Sequence, residues 1–115
     1  MKAVIKDVRI ERIDKIWKKH KPQGLGFSDN DVIILSLKTD DGNAFNQNFY
    51  CRLKADGTLG HSITKGSEKR QNELKNFIKK YISEDKNYNI RNNIDEWKAK
   101  TVEAEKIDGG FIIKI

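Results

Sequence analysis

Residues 31–52 read DVIILSLKTDDGNAFNQNFYCR, and this stretch decides the fold. Residues 32–39 are rich in β-branched side chains, which favour strands. Residues 40–43 (DDGN) are turn-forming types, and residues 44–52 then alternate large and polar side chains. Two such runs around a short turn predict a β-hairpin, and the rest of the chain can be arranged around it.

The second strand of this hairpin predicts which side chains enter the core. Successive side chains of a strand point to opposite faces of the sheet. The face expected to turn inward carries Phe45, Gln47, Phe49 and Cys51. The face expected to turn outward carries Ala44, Asn46, Asn48 and Tyr50. Two aromatic rings and a buried thiol therefore enter the core, while amides and a tyrosine look outward.

Residues 3–13 are predicted to form an earlier strand. Val4, Val8 and Ile10 would share its inner face, with Lys6 breaking the series. Helical spacing of Val4 and Val8 makes a helix the competing interpretation. The β-branched content of the segment favours the strand.

One amphipathic helix is predicted after the hairpin, over residues 67–83. Ser67 stands at the N-cap position, and residues 53–66 before it are turn-rich with room for one short strand. Apolar side chains then recur at helical spacing, at Leu74, Phe77, Ile78 and Tyr81. Polar side chains are expected towards water, at Lys69, Asn72, Asn76 and Lys80.

The last third of the chain predicts a helical turn and a second hairpin. Asn93, with Glu96 three residues later, suggests a capped turn over residues 93–97. Residues 101–107 alternate as a strand, Asp-Gly-Gly turns the chain, and residues 111–115 pair back.

Length and composition limit the class of protein. A chain of 115 residues forms one domain, here residues 1–115, with a core that needs no metal or disulfide. No apolar run approaches the length of about 20 residues that a membrane span requires. Charged residues near the start argue against a signal peptide, and a lone cysteine favours a reducing compartment. We therefore expect a cytoplasmic protein without a membrane partner.

Positive charge is concentrated in two segments of the sequence. The net charge is +6; residues 1–21 hold eight Lys or Arg against three acidic residues, and residues 65–80 hold six against two. Segregated positive charge suits a polyanion such as nucleic acid. Lysine is also the usual residue of a solvated surface, so charge alone leaves both interpretations open.

A basic and aromatic run, KIWKKHK, occupies residues 15–21. It opens a connection of residues 14–31 between the first two predicted strands. Connections longer than about 12–15 residues are uncommon in compact domains and are often functional. This connection is therefore the first place to look for a binding site.

The predicted element order is strand, strand, strand, helix, strand, strand. This α+β chain, mainly antiparallel β, matches a five-stranded barrel of the OB type, which has its helix between the third and fourth strands. With the segment DEWKAKTVEA at residues 95–104, this order resembles small OB-like single-strand-binding proteins of phages and mobile elements. Such proteins often have a glycine near the position of Ala99. The resemblance implies a small OB-like barrel that binds single-stranded DNA or RNA.

The OB-like interpretation predicts the ligand surface. It comprises the outer face of the second and third strands together with the loop between the first two. That face would offer Ser36, Lys38, Asn46, Asn48, Tyr50 and Arg52. Phosphates would be met by Lys15, Lys18, Lys19 and Lys21, with Lys38 and Arg52 tracking the backbone across the sheet.

Bases would stack on Trp17 and Tyr50, each stack being worth about 1–3 kcal/mol, while Asn46 and Asn48 could hydrogen-bond base edges. Two alternatives stay open. Trp17 could instead plug one end of the barrel, and a one-residue slip of the strand would turn Tyr50 inward beneath the helix.

Catalysis, metal binding and cofactor binding are not expected. His20, His61 and Cys51 are too few and too scattered for a zinc site, which needs at least three protein ligands. The alternative function is a protein-protein interaction module, such as a mobile-element protein that binds a host factor. Outward hydrophobic residues, for which Ile34 or Ile5 are candidates, or an unpaired sheet edge would serve that role.

Overall fold

The computed structural model describes residues 1–13, 30–60 and 65–115. Its strands are β1 (Lys2–Arg12), β2 (Asp31–Thr39), β3 (Ala44–Cys51), β4 (Thr101–Ile107) and β5 (Gly110–Ile113). Its helices are α1 (Lys65–Tyr81) and the one-turn α2 (Ile90–Asn93), which continues into a 3-10 turn (Ile94–Trp97). No helix in this described part of the chain is long and apolar enough to cross a membrane.

The five strands form one antiparallel sheet that curls into a nearly closed barrel. The strand order is β3-β2-β1-β4-β5. The two outer strands approach each other, because the rings of Phe45 and Phe111 lie 5.7 Å apart between centroids. The amide of Ile113 also donates to Oε1 of Gln47 at 3.5 Å. With α1 between β3 and β4, the predicted OB-like, mainly antiparallel architecture is confirmed.

The hairpin of β2 and β3 has the predicted phase. Phe49 and Cys51 are buried, and Phe45 and Gln47 are half-buried on the same inner face. On the outer face, Ala44, Asn46 and Asn48 are exposed and Tyr50 is half-buried. The predicted faces of β3 are therefore confirmed, as is the buried state of Cys51.

The predicted inner face of β1 is wrong in its first half. Ala3, Ile5 and Val8 are buried, whereas Val4 is only half-buried. The pairing of β1 with β2 shifts register between Ile5 and Asp7, so that Lys6 is an extra residue on β1. Such a bulge exchanges the two faces of a strand, which simple alternation cannot anticipate. Ile5 is therefore a core residue and not the outward hydrophobic residue proposed for a protein contact.

Helix α1 closes the barrel beneath β3. Leu74, Phe77 and Ile78 are buried, while Lys69, Asn72, Asn76 and Lys80 are exposed, as the helical spacing predicted. The boundaries differ from the prediction, because the helix begins at Lys65 and ends at Tyr81. The predicted N-cap at Ser67 is therefore wrong, since Ser67 is the third residue of the helix.

Aromatic rings meet at the centre of the core around Phe77. The centroid of its ring lies 4.9 Å from that of Phe49, 5.4 Å from that of Trp97 and 5.5 Å from that of Tyr81. Trp97 is fully buried, and its Nε1 donates to the hydroxyl of Tyr88 at 3.0 Å. The core is therefore built between β3, α1 and the 3-10 turn.

The helical turn before β4 is present but is capped differently from the prediction. The side chain of Asn89 accepts a hydrogen bond from the amide of Asn92 at 3.0 Å and caps α2. Asn93 makes no side-chain cap bond; its Nδ2 donates to the carbonyl oxygen of Asn89 at 2.9 Å. Two consecutive asparagine-led turns replace the single predicted turn.

Ala99 adopts a backbone conformation that favours glycine. Its φ is +70°, and its amide donates to the carbonyl oxygen of Ile5 at 2.8 Å. A left-handed conformation costs an alanine about 1–2 kcal/mol, while glycine loses about 0.5–1 kcal/mol in chain entropy. We expect Ala99→Gly to raise the free energy of unfolding by about 0.5–1 kcal/mol in urea denaturation.

The matched control for Ala99 is Ala44→Gly. Ala44 is also exposed but begins a regular strand, so this change is expected to lower the free energy of unfolding by about 0.5–1 kcal/mol. Equal destabilisation by both changes would show that Ala99 carries no backbone strain.

Candidate functional site

The outer face of β2 and β3 is a continuous row of paired positions. Ser36 stands opposite Asn46, Ile34 opposite Asn48, and Lys38 opposite Ala44. Directly paired residues of antiparallel strands have side chains on the same face. Lys38, Asn46 and Asn48 are exposed there, so this part of the face is open and polar.

Tyr50 lies on this same outer face, opposite Val32. Phe49, its neighbour in the chain, stacks on Phe77 of α1 from the inner face. Tyr50 therefore does not pack beneath the helix, and the alternative of a one-residue slip is excluded. Its side chain is only partly buried, so part of it is available to a ligand.

Lys38 and Arg52 lie at opposite ends of this face. Lys38 pairs with Ala44, the first residue of β3, and Arg52 directly follows the last residue, Cys51. Arg52 lies eight positions after Ala44, a span of about 26 Å in an extended strand. Asn48 and Tyr50 lie between the two cations, so these four predicted site residues form one line along the outer face of β2 and β3.

The other predicted site residues are the basic and aromatic ones of the connection between β1 and β2. They lie outside the residues that the structure describes, and they are Lys15, Trp17, Lys18, Lys19 and Lys21. The described ends of this connection are joined, because the amide of Ile13 donates to the carbonyl oxygen of Asn30 at 2.9 Å. The amide of Asn30 in turn donates to the carbonyl oxygen of Cys51 at 3.1 Å. The connection therefore leaves and rejoins the barrel beside the Arg52 end of the face.

Strand β1 adds charged residues of both signs to the same outer face. Asp7 pairs with Ser36, Arg9 with Ile34, and Glu11 with Val32. Nζ of Lys98 lies 3.5 Å from Oδ1 of Asp7. The sequence analysis left these carboxylates out of the predicted ligand surface, because that surface comprised only the second and third strands and the connection before them.

A second feature outside the predicted ligand surface is a hairpin that prolongs β3, in the segment for which the sequence indicated turns and room for one short strand. Leu53 forms an isolated bridge with Leu59, and the amide of Gly60 donates to the carbonyl oxygen of Arg52 at 2.8 Å. The tip of this hairpin contacts α2. The carbonyl oxygen of Gly57 accepts hydrogen bonds from the amides of Ile90 and Arg91 at 3.1 and 3.3 Å.

A groove of about 680 Å³ lies between this hairpin, the end of α1 and the loop after α1. Apolar side chains in its lining are Leu59, Ile78, Tyr88 and Ile90. Basic side chains in its lining are Lys54, Lys75, Lys79 and Lys86. Acidic side chains in its lining are Asp56, Glu84 and Asp85. Hydrogen bonds from Thr58 lower the pKa of Asp56, so this carboxylate stays ionised at neutral pH.

Within the described residues, no three His, Cys, Asp or Glu side chains come together in a group that could hold a metal ion. The buried carboxylate of Asp31 makes contacts that hold parts of the fold together. Its Oδ2 accepts a hydrogen bond from the amide of Leu53 at 3.2 Å, and its Oδ1 lies 4.0 Å from Nη2 of Arg91. This carboxylate therefore ties the hairpin after β3 and the helix α2 to the start of β2.

Comparisons with protein-family models, with curated proteins and with solved structures gave no significant match for this chain. The class of protein is therefore defined by the fold, a small, nearly closed β-barrel with OB-like strand order. Any function must be argued from the side chains on its surface, because one fold hosts many activities.

Proposed function

We propose that this protein binds single-stranded nucleic acid, DNA or RNA, without catalysing a reaction on it. The binding surface is the outer face of β2 and β3 together with the basic and aromatic residues 15–21. One observation carries the proposal: Lys38, Asn48, Tyr50 and Arg52 lie in one line along the outer face of β2 and β3 in an OB-like barrel. In OB folds, this face and the loop between the first two strands are the nucleic-acid-binding elements.

Each residue type in this line has a defined part in the binding. Lys38 and Arg52 neutralise phosphates at the two ends, and bound counterions are released from the strand. The ring of Tyr50 would stack on a base of any type, because every base has a flat aromatic face. The amides of Asn46 and Asn48, both exposed, offer hydrogen bonds to base edges between the two cations.

The connection between β1 and β2 would extend the site at one end. The connection of residues 14–29 joins the barrel at Ile13 and Asn30, beside the end of the line where Arg52 lies. Its lysines and Trp17 would extend the site there.

The proposal predicts that the ring of Tyr50 contributes stacking energy. We expect Tyr50→Ala to weaken binding of a labelled single strand of about 12 nucleotides by about 5- to 100-fold, in proportion to one lost stack. Tyr50→Phe, which keeps the ring, is expected to bind as the natural protein does. Fluorescence anisotropy at several salt concentrations measures both affinities, and circular dichroism checks the fold.

Two further outcomes of this titration bear on the proposal. A single strand should bind more tightly than a duplex, and the affinity should fall as salt rises. Lys18→Ala/Lys19→Ala should weaken binding in the same way if the connection takes part. Absence of binding by the natural protein at low salt would overturn the proposed function.

A second candidate function is contact with another protein. Ile107 and Ile112 are 42% and 38% exposed, and both lie on the outer face of β4 and β5. Neighbouring exposed isoleucines are a usual component of protein contacts. If no oligonucleotide binds, we expect the change Ile112→Glu to abolish capture of a partner protein in a pull-down.

A further inference from the structure

We propose that the groove between the hairpin of residues 52–60 and the end of α1 continues the nucleic-acid path. A single strand that crosses the outer face of β2 and β3 would pass Arg52, meet Lys54 and then run along Lys75 and Lys79. This inference rests on the proposed function and assigns to it a longer binding site than the sheet alone provides.

Continuity between the sheet and the groove is the first observation. The amide of Gly60 donates to the carbonyl oxygen of Arg52, and the amide of Lys54 donates to that of Thr58, both at 2.8 Å. Residues 52–54 are therefore an extended, paired continuation of β3. Side chains two residues apart in such a segment share a face and lie about 7 Å apart. Arg52 and Lys54 thus connect the outer face of the sheet to the groove.

The second observation is the electrostatic state of the groove. Four of its lining residues are lysines, and none of the four forms a salt bridge with another residue that the structure describes. Two of the three carboxylates are held within their own turns. Oδ1 of Asp56 accepts a hydrogen bond from the amide of Thr58 at 3.0 Å. Oδ1 of Asp85 accepts a hydrogen bond from the amide of Asn87 at 2.9 Å. Together with the hydrogen bonds from Thr58, the nearby Lys54 lowers the pKa of the Asp56 carboxylate, so the charge of Lys54 is partly compensated. The ammonium groups of Lys75, Lys79 and Lys86 remain available to phosphates.

The third observation is the apolar part of the lining. Leu59, Ile78 and Tyr88 present apolar surface between the lysines. The hydroxyl of Tyr88 accepts a hydrogen bond from Nε1 of the buried Trp97, which holds the ring in place. A single strand is bound by aromatic rings, on which its bases stack, and by neighbouring cations, which contact its phosphates. A volume of about 680 Å³ is within the usual range of ligand sites.

The test compares two strand lengths and two pairs of lysines. The groove pair is Lys75→Ala/Lys79→Ala, and the control pair is Lys69→Ala/Lys80→Ala on the other flank of the same helix. All four lysines are exposed, and alanine favours helix, so both variants should fold. The probes are labelled oligothymidylates of about 4 and about 12 nucleotides, a range that spans the site sizes of OB folds.

The groove pair is expected to bind the short strand as the natural protein does and the long strand about 10-fold more weakly. The slope of log affinity against log salt for the long strand should fall by about 1.4, which is about 0.7 for each lost phosphate contact. The control pair should change either affinity less than about 2-fold.

Two results would overturn the inference, and they can be told apart. Equal losses in the groove and control pairs, or a natural protein that binds both lengths equally well, would remove the groove but leave the site on the sheet. Failure of the natural protein to bind either strand at low salt would remove the proposed function together with the groove.

Discussion

Phe77→Ala is expected to lower the free energy of unfolding by about 3–5 kcal/mol, the usual cost of removing a buried aromatic ring. The ring is fully buried and lies within 5.5 Å, centroid to centroid, of Phe49, Trp97 and Tyr81. These three rings come from β3, the 3-10 turn and α1 itself, so they cannot all move into the space that is left. Urea denaturation followed by tryptophan fluorescence measures the loss.

The matched control for Phe77 is its neighbour Asn76. Asn76 is exposed on the same helix, so Asn76→Ala is expected to change the free energy of unfolding by less than about 0.5 kcal/mol. Phe77→Leu, which keeps most of the apolar volume, should fall between the two. A loss below about 1 kcal/mol for Phe77→Ala would show that the aromatic centre is not packed as described. Small domains have only about 5–15 kcal/mol of stability, so the expected loss is a large share of the total.

Gly57→Ala is expected to lower the free energy of unfolding by about 3–4 kcal/mol, for two reasons that can be separated. The φ of Gly57 is +92°, which an alanine adopts only with strain. A Cβ added there would also lie 2.9 Å from Cβ of Arg91 and would overlap the side chain of Asn89. Asn89 caps α2, so its displacement would loosen the contact between the hairpin and that helix.

Gly42→Ala isolates the contribution of the backbone alone. Gly42 has almost the same φ, +94°, but nothing lies within 4 Å of the position of an added Cβ. Strain alone is expected to cost about 1–2 kcal/mol at this site. The difference between the two variants in thermal or urea unfolding therefore measures the steric overlap at Gly57. Equal losses at both glycines would show that the hairpin tip moves away from α2 at no cost.

Much of the fold follows from local patterns in the sequence. Alternation in residues 44–52 correctly places Phe49 and Cys51 inside and Asn48 outside, because side-chain direction in a regular strand has a period of two residues. Helical spacing of Leu74, Phe77 and Ile78 identifies the buried stripe of α1 for the same kind of reason. These properties depend only on near neighbours in the chain.

The errors arise where pairing with another strand or contact with another segment sets the local structure. The bulge at Lys6 is defined by the register of β1 against β2, and it turns Ile5 inward. Ala99 takes a positive φ at the position where the OB-like proteins that the sequence resembles often have glycine, and its amide donates to the carbonyl oxygen of Ile5 on β1. Propensity favours neither arrangement, so tertiary contacts decide both.

Some residues of the candidate site could be placed from the sequence, and the roles of others stay predictions. Lys38, Asn48, Tyr50 and Arg52 could be predicted as one surface, since they belong to two adjacent strands with a clear alternation. The roles of Lys15, Trp17, Lys18, Lys19 and Lys21 stay predictions that the binding experiments test.

The groove could not be predicted from the sequence. Its lysines come from three separate segments, with Lys54 in the hairpin, Lys75 and Lys79 on α1, and Lys86 in the following loop. Sequence periodicity reports which face of each element is apolar, and so it determined the barrel, its helix and the polar outer face. Only the packing of distant segments against one another, which no local pattern encodes, decides where those faces meet.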